Sequence, residues 1–191
     1  MSTRDKIIDT TRRLIQTRAY HGFSFQDIAD NVGIKKASLY HHFKSKDDVA
    51  IEVLRSSIEA IEEELGKIAD KSASQRLEKY LAMTRTIQGA GERMCPGCSF
   101  AAILDAVSPA VQSEVQRFIQ FHLDWLEQIL REGREAGEFR YERPDKAEAE
   151  YLFSSIQGAI TIARLTGSAK VFDNVMAHVR DYFESPQANE A

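Results

Sequence analysis

The amino-acid sequence predicts an all-α fold, and three observations carry the prediction. Apolar residues recur at 3- and 4-residue spacing through almost every segment, no alternating stretch is long enough for a strand, and helix-starting Ser and Pro alternate with helix-ending Gly. Nine helices are expected, the first three forming a small N-terminal head and the rest a larger helical domain.

Ile7, Ile8, Thr11, Leu14, Ile15 and Ala19 line one face of a first helix over residues 4–20. Ser24 caps a short helix from Phe25 to Val32, which Gly33 stops. A second short helix spans Lys36 to His42. Ser45 and Asp48 make an acidic capping box that opens a long helix, with Val49, Val53, Leu54, Ile58, Ile61, Leu65 and Ile68 as its apolar stripe and an end near Asp70. The next helix spans about Gln75 to Gln88, and the Gly-rich loop Gly89 to Gly97 follows. Cys98 to Val107 reads as a short, nearly all-apolar helix. Ser108-Pro109 then starts a helix that ends near Gly133 or Gly137, and Pro144 starts one to about Leu165, closed by Thr166-Gly167. The last helix, about Ala169 to Glu184, ends before Pro186, with a frayed tail expected beyond it.

The 191 residues, 43% hydrophobic and 28% charged with two Cys, exclude a disordered chain and a disulfide scaffold. A formal charge of −4 argues against nucleic acid until it is divided along the chain. Residues 1–50 hold nine Lys and Arg against six Asp, a net of +3, and the other 141 residues carry −7. Such asymmetry suggests a nucleic-acid-binding module joined to something else. The first twenty residues lack the apolar core of a signal peptide and no segment approaches a membrane span, so a cytoplasmic location with reduced thiols is expected.

Ser24 to Lys46 is the informative stretch. Two short helices meet at Gly33, Ala29 allows close approach, and Ile28, Val32, Ile34, Leu39 and Phe43 supply a small shared core: the pattern of a helix-turn-helix. Its second helix starts with cations, then presents small residues, then donors able to reach phosphate or base edges. A plain helical hairpin with a basic face is the competing reading.

The segments Ile28-Ala29-Asp30-Asn31-Val32-Gly33 and Leu39-Tyr40-His41-His42-Phe43-Lys44-Ser45-Lys46 resemble the tetracycline-repressor (TetR) family of bacterial transcriptional regulators. The resemblance covers about a third of the chain. It implies a helix-turn-helix head at 1–50, with its recognition helix at about 36–42, and a ligand-binding and dimerisation domain at 51–191. By the same resemblance Tyr40 and Lys46 contact operator phosphate, Lys36, Ala37, Ser38 and His41 face base edges, and Ser24 lies near phosphate. Lys35 stands where the family usually has Ser or Thr, which weakens capping there but adds a cation able to contact phosphate.

Residues 151–165 are apolar or small nearly all round, so this helix needs burial on two sides, most simply against a twin across a two-fold axis. The resemblance implies the same, a four-helix bundle of the helices at about 144–165 and 169–184 from two chains. It also implies a cavity for a small-molecule effector, for which Tyr80, Met83, Ile87, Phe100, Phe118, His122, Trp125, Phe153 and Gln157 are candidates; most of these double as ordinary core.

The Cys95-Pro96-Gly97-Cys98 tetrad stays open between a redox site, half of a zinc site and a thiol switch in which the helix start lowers the Cys98 pKa, beside a purely structural reading. No Ser/His/Asp order, P-loop or G-x-G-x-x-G is present, so neither catalysis nor a cofactor or metal is expected. The expected function is a homodimeric regulator of transcription, most simply a repressor released from a palindromic operator by a small molecule. Sensing of electrophiles or oxidants through Cys95 and Cys98 is the alternative; a CxxC thiol oxidoreductase is the rival from another class, and a protein-binding adaptor a third reading.

Overall fold

Local chemistry sets most helix boundaries in the computed structural model, which describes residues 1–184. Eight α-helices form among the described residues: α1 (Thr3–Arg18), α2 (Phe25–Val32), α3 (Lys36–His42), α4 (Lys46–Gly66), α5 (Ala73–Gln88), α6 (Pro109–Glu135), α7 (Asp145–Thr166) and α8 (Lys170–Glu184). Two 3₁₀ segments, Tyr20–Gly22 and Cys98–Ala106, complete the path. The described residues contain no strand, as the sequence predicts. The expected stop before Pro186 and the tail beyond it lie outside the described residues.

Capping boxes start four of the helices. Ser2 and Asp5, Ser24 and Asp27, and Ser72 and Gln75 exchange side-chain and backbone hydrogen bonds at α1, α2 and α5. At α4 the Ser45 hydroxyl accepts the Asp48 N–H at 3.1 Å, while the Asp48 carboxylate accepts the amides of Ser45 and Lys44 at 3.0 and 3.1 Å. Gly33 ends α2 at φ +78°, a left-handed conformation that glycine adopts without steric cost.

Three boundaries differ from the sequence reading, the first being α4, which ends at Gly66 rather than near Asp70 because glycine is a poor helix former. The first helix stops at Arg18 rather than residue 20, because Ala19 takes φ +57° and no helix continues through that torsion. The segment after the glycine loop is a 3₁₀ helix, with bonds from Phe100 N–H to Gly97 and from Val107 N–H to Leu104. Its start has no side-chain cap, and of its apolar residues only Phe100 is fully buried, so little packing selects the α form.

The chain divides into two compact units, one of residues 1–61 with 93–119 and one of residues 62–92 with 120 onward. The first has a core of Ile7, Ile15, Ile28, Ala29, Leu39, Val49, Val53 and Leu54. In it Arg12 donates to the hydroxyls of Ser56 and Ser57 at 2.9 and 3.1 Å, tying α1 to α4. The buried Glu114 carboxylate receives Arg55 and Arg117, each at 2.9 Å. In the second unit α7 and α8 pack together around Leu152, Ile156, Ala159, Met176 and Val179. Arg180 grips Glu78 and Arg85 grips Asp173, fastening α8 to α5.

Candidate nucleic-acid interface

Helix α3 turns Leu39 inward, and Phe43 is buried just after it. That leaves Lys35, Lys36, Ala37, Tyr40 and His41 exposed, with Ser38 half-buried. Exposure of one basic, small-residue and hydroxyl-bearing face is what reading a DNA groove requires. Tyr40 is 52% exposed, and its ring leans on Phe25 with centroids 5.0 Å apart, which fixes its direction at the start of α2. Lys35 occupies the N-cap of α3 without a side-chain cap, as its departure from Ser or Thr predicts.

Ser24 and Lys46 are more occupied than the sequence suggests. The exposed Ser24 hydroxyl accepts the Asp27 N–H and donates to Asp27 Oδ2 at 2.6 Å, and this bond with that from the Ser24 backbone N–H holds the Asp27 carboxyl below the usual carboxylate range. Lys46 Nζ donates to the Tyr20 carbonyl and to the Phe23 carbonyl at 2.5 Å, and lies 4.1 and 4.2 Å from the Tyr20 and Phe23 ring centres. Burial lowers its pKa, against the pull of Asp47 and Asp27. Two of its three ammonium protons are thus taken inside the head, and Asp48 takes amides at the α4 start that a phosphate would use. Nothing local in the sequence signals this clamp, since its carbonyls lie 23 and 26 residues upstream. The Tyr20 hydroxyl donates to Asp47, which together with burial raises the Tyr20 pKa.

The ligand candidates do not all gather. In the second unit Tyr80 stacks on Trp125 with centroids 5.1 Å apart, His122 stacks on Phe153 at 5.4 Å, and the Tyr80 hydroxyl lies 2.9 Å from His122 Nδ1. Burial alone pushes the His122 pKa down to about 4, so the imidazole is neutral. Gln157, one turn after Phe153, and Met83 are half-buried, and Ile87 is exposed. Phe100 and Phe118 belong to the first unit, where Phe100 packs on Tyr20 and Phe118 backs onto Gly97. Gln88, which the sequence did not single out, is the most buried polar side chain of the second unit, at 1% exposed.

Cys95 is buried, Cys98 is half-buried, and both thiols are free. The Cys98 thiol and the amides of Cys98 and Gly97 donate to Cys95, lowering its pKa, while the same pairing and burial raise that of Cys98. This reverses the expectation for Cys98. The sulfur that receives the amides at a helix start is the one three residues before it, because those N–H groups point back along the chain.

Family comparisons agree with this geometry. Residues 7–53 match the model of the tetR family of bacterial regulatory proteins, and residues 73–179 match the tetracyclin repressor-like C-terminal domain. The chain is 24% identical over 180 residues to the HTH-type transcriptional repressor DhaR of Mycobacterium sp. (strain GP1), covering 92% of this chain and 89% of that one. It is 21% identical to the repressor NemR of Escherichia coli (strain K12), covering 96% and 95%. A TetR-family regulator from Agrobacterium tumefaciens shares its fold with a TM-score of 0.89 at 24% identity, covering 96% of this chain and 98% of that one. With both parts of the chain matched, the protein belongs to the tetR family of bacterial regulatory proteins and is a DNA-binding regulator of transcription.

Proposed function

We propose that the protein is a homodimeric repressor that leaves a palindromic operator when a small molecule binds. The observation that carries this reading is the outward face of α3, with Leu39 and Phe43 holding it from behind. Residues 1–50 form the DNA-binding head. Lys35 and Tyr40 bind phosphate, Lys36, Ala37, Ser38 and His41 face base edges, and Ser24 closes the contact at the α2 start. Lys46 keeps one ammonium proton for phosphate while its other bonds set the head's shape.

Residues 51–191 form the effector and dimer domain. Helix α7 supports the dimer: Tyr151, Ile162 and Leu165 stay 48, 47 and 77% exposed along one stripe, and a Cβ added at Gly158 meets nothing within 4 Å. A stripe of that kind is suited to a twin helix. None of the described helices is long and apolar enough to cross a membrane, which agrees with action at the chromosome in the cytoplasm.

The amides and thiol gathered on Cys95 favour a second reading, in which an electrophile or oxidant acts on Cys95 or Cys98 to release DNA. Selection of bound sequences from random DNA, followed by gel shifts of wild type and Tyr40→Phe on the selected site, tests the main reading. Specific binding to a two-fold site, weakened by Tyr40→Phe, is expected; retention of DNA without sequence preference overturns it.

A further inference from the structure

Gln88 is 1% exposed, and both its amide nitrogen and its amide oxygen lack a hydrogen-bond partner in the chain. Gln157 Oε1 is in the same condition. Burying an unmatched amide costs on the order of 1–3 kcal/mol, so such a group marks a place where something other than protein supplies the partner.

The two glutamines lie at one level of the second unit. Tyr80 of α5 reaches Phe153 of α7 through the His122 ring, with centroid steps of 5.8 and 5.4 Å. Past the end of α5, a Cβ at Gly91 would stand 3.0 Å from the Ala163 carbonyl, and Arg164 donates to the Glu92 carbonyl. Residue numbers climb together along the two helices, so α5 and α7 run in the same direction, with the His122 ring between them at the Tyr80 level. Counted along the axis, Gln88, the last residue of α5, falls near the level of Ile160, about one turn from the level of Gln157.

The surroundings restrict what fits. The buried polar side chains of this unit are Gln88, His122 and Glu148. Glu148 sits in the first turn of α7, nine residues before Gln157, and its carboxylate already accepts the Tyr182 hydroxyl at 2.9 Å. The aromatic pairs Tyr80 with Trp125 and His122 with Phe153 supply flat apolar walls. The guanidinium nearest Gln88 along the chain, Arg85, is already engaged by Asp173 and the Gly89 carbonyl, whereas a neutral group with both donor and acceptor would match an amide.

We propose that Gln88 and Gln157 anchor an internal site in the second unit for an uncharged, flat, largely apolar molecule bearing a carbonyl, amide or similar donor and acceptor group. The proposal deepens the effector reading above by naming the ligand's chemical class, and it is tested on the protein without DNA, so its failure leaves the operator results standing.

Trp125 is the protein's one tryptophan and lies in the aromatic wall, so its fluorescence reports the site directly. Titration with benzamide, benzoate and benzylammonium, equal in ring and differing in charge, is the experiment. Saturable change with benzamide, at least about tenfold weaker in both Gln88→Met and Gln157→Leu, is expected. Gln88→Met should also melt at or above the wild-type temperature, because an unmatched amide is removed. Equal binding of the charged probes, no binding of benzamide, or unchanged benzamide affinity in both folded variants overturns the proposal. A Gln88→Met protein that melts lower but binds benzamide as before shows a glutamine held by water for structure, and overturns it too.

Discussion

The Tyr80 hydroxyl and His122 Nδ1 stand 2.9 Å apart inside a ring cluster that leaves His122 7% exposed. The folded imidazole has a pKa near 4, whereas in the unfolded chain it titrates near 6.5. Between those values the unfolded chain binds a proton that the folded one refuses, so stability is full above about pH 6.5 and declines as pH falls toward 4. The loss at pH 5 should be about 2 kcal/mol. Urea unfolding at pH 7 and pH 5 measures it, and His122→Phe should flatten the difference; an identical slope in the variant refutes the assignment.

Tyr40 and Lys46 should separate in their effects. Tyr40 is half-exposed and carries no core contact beyond Phe25, so Tyr40→Phe should weaken operator binding with the melting temperature unchanged. Lys46→Met abandons two inward carbonyls and should cost about 1–3 kcal/mol of stability. Thermal melts beside gel shifts distinguish them. A Lys46→Met head as stable as wild type would mean the clamp contributes nothing.

Binding should weaken steeply with salt, because each phosphate neutralised releases counterions. Lys35→Ala should lower the slope of log affinity against log salt by about 1 while keeping base preference. Lys36→Ala and Ser38→Ala should shift which bases are selected. Affinity selection at two salt concentrations reads both, and the reverse pattern would reassign the face.

Leu165 and Ile162 are the exposed apolar residues near the end of α7. Leu165→Glu should convert a dimer to monomer in sedimentation at micromolar concentration and remove operator binding, without lowering the fold's helicity. A dimer that persists in both Leu165→Glu and Ile162→Glu places the interface elsewhere.

At the cysteine pair, alkylation should occur first at Cys95 wherever reagent gains access, since its thiolate is the one stabilised. Mass mapping after limited iodoacetamide treatment of native protein checks the order. Operator release on alkylation that survives in the Cys95→Ser/Cys98→Ser double variant removes the thiol reading altogether.

Periodicity and punctuation made the helices readable: Ser24, Gly33, Ser45 and Pro109 each act within four residues of themselves, and the structure uses all four. The outward set on α3 was equally legible, because Leu39 and Phe43 mark its inner side. What escaped depends on distance in the chain. Lys46 meets carbonyls from another element, Gln88 is conspicuous only once its lack of partners is seen, and the break at Ala19 has no glycine or proline to announce it. At the cysteine pair, composition shows a helix start but not which sulfur its amides reach.

The Lys46 clamp also has a topological side. By bonding the carbonyls of Tyr20 and Phe23 it ties the chain just before α2 to the chain just after α3, so the whole helix-turn-helix sits in a loop closed without a covalent bond. Closing the base shortens the loop that the segment can explore and so raises the cost of opening it from its ends. Hydrogen exchange across α2 and α3 should then speed up together in Lys46→Met, because the two short helices share one knot of charge and carbonyls at their base.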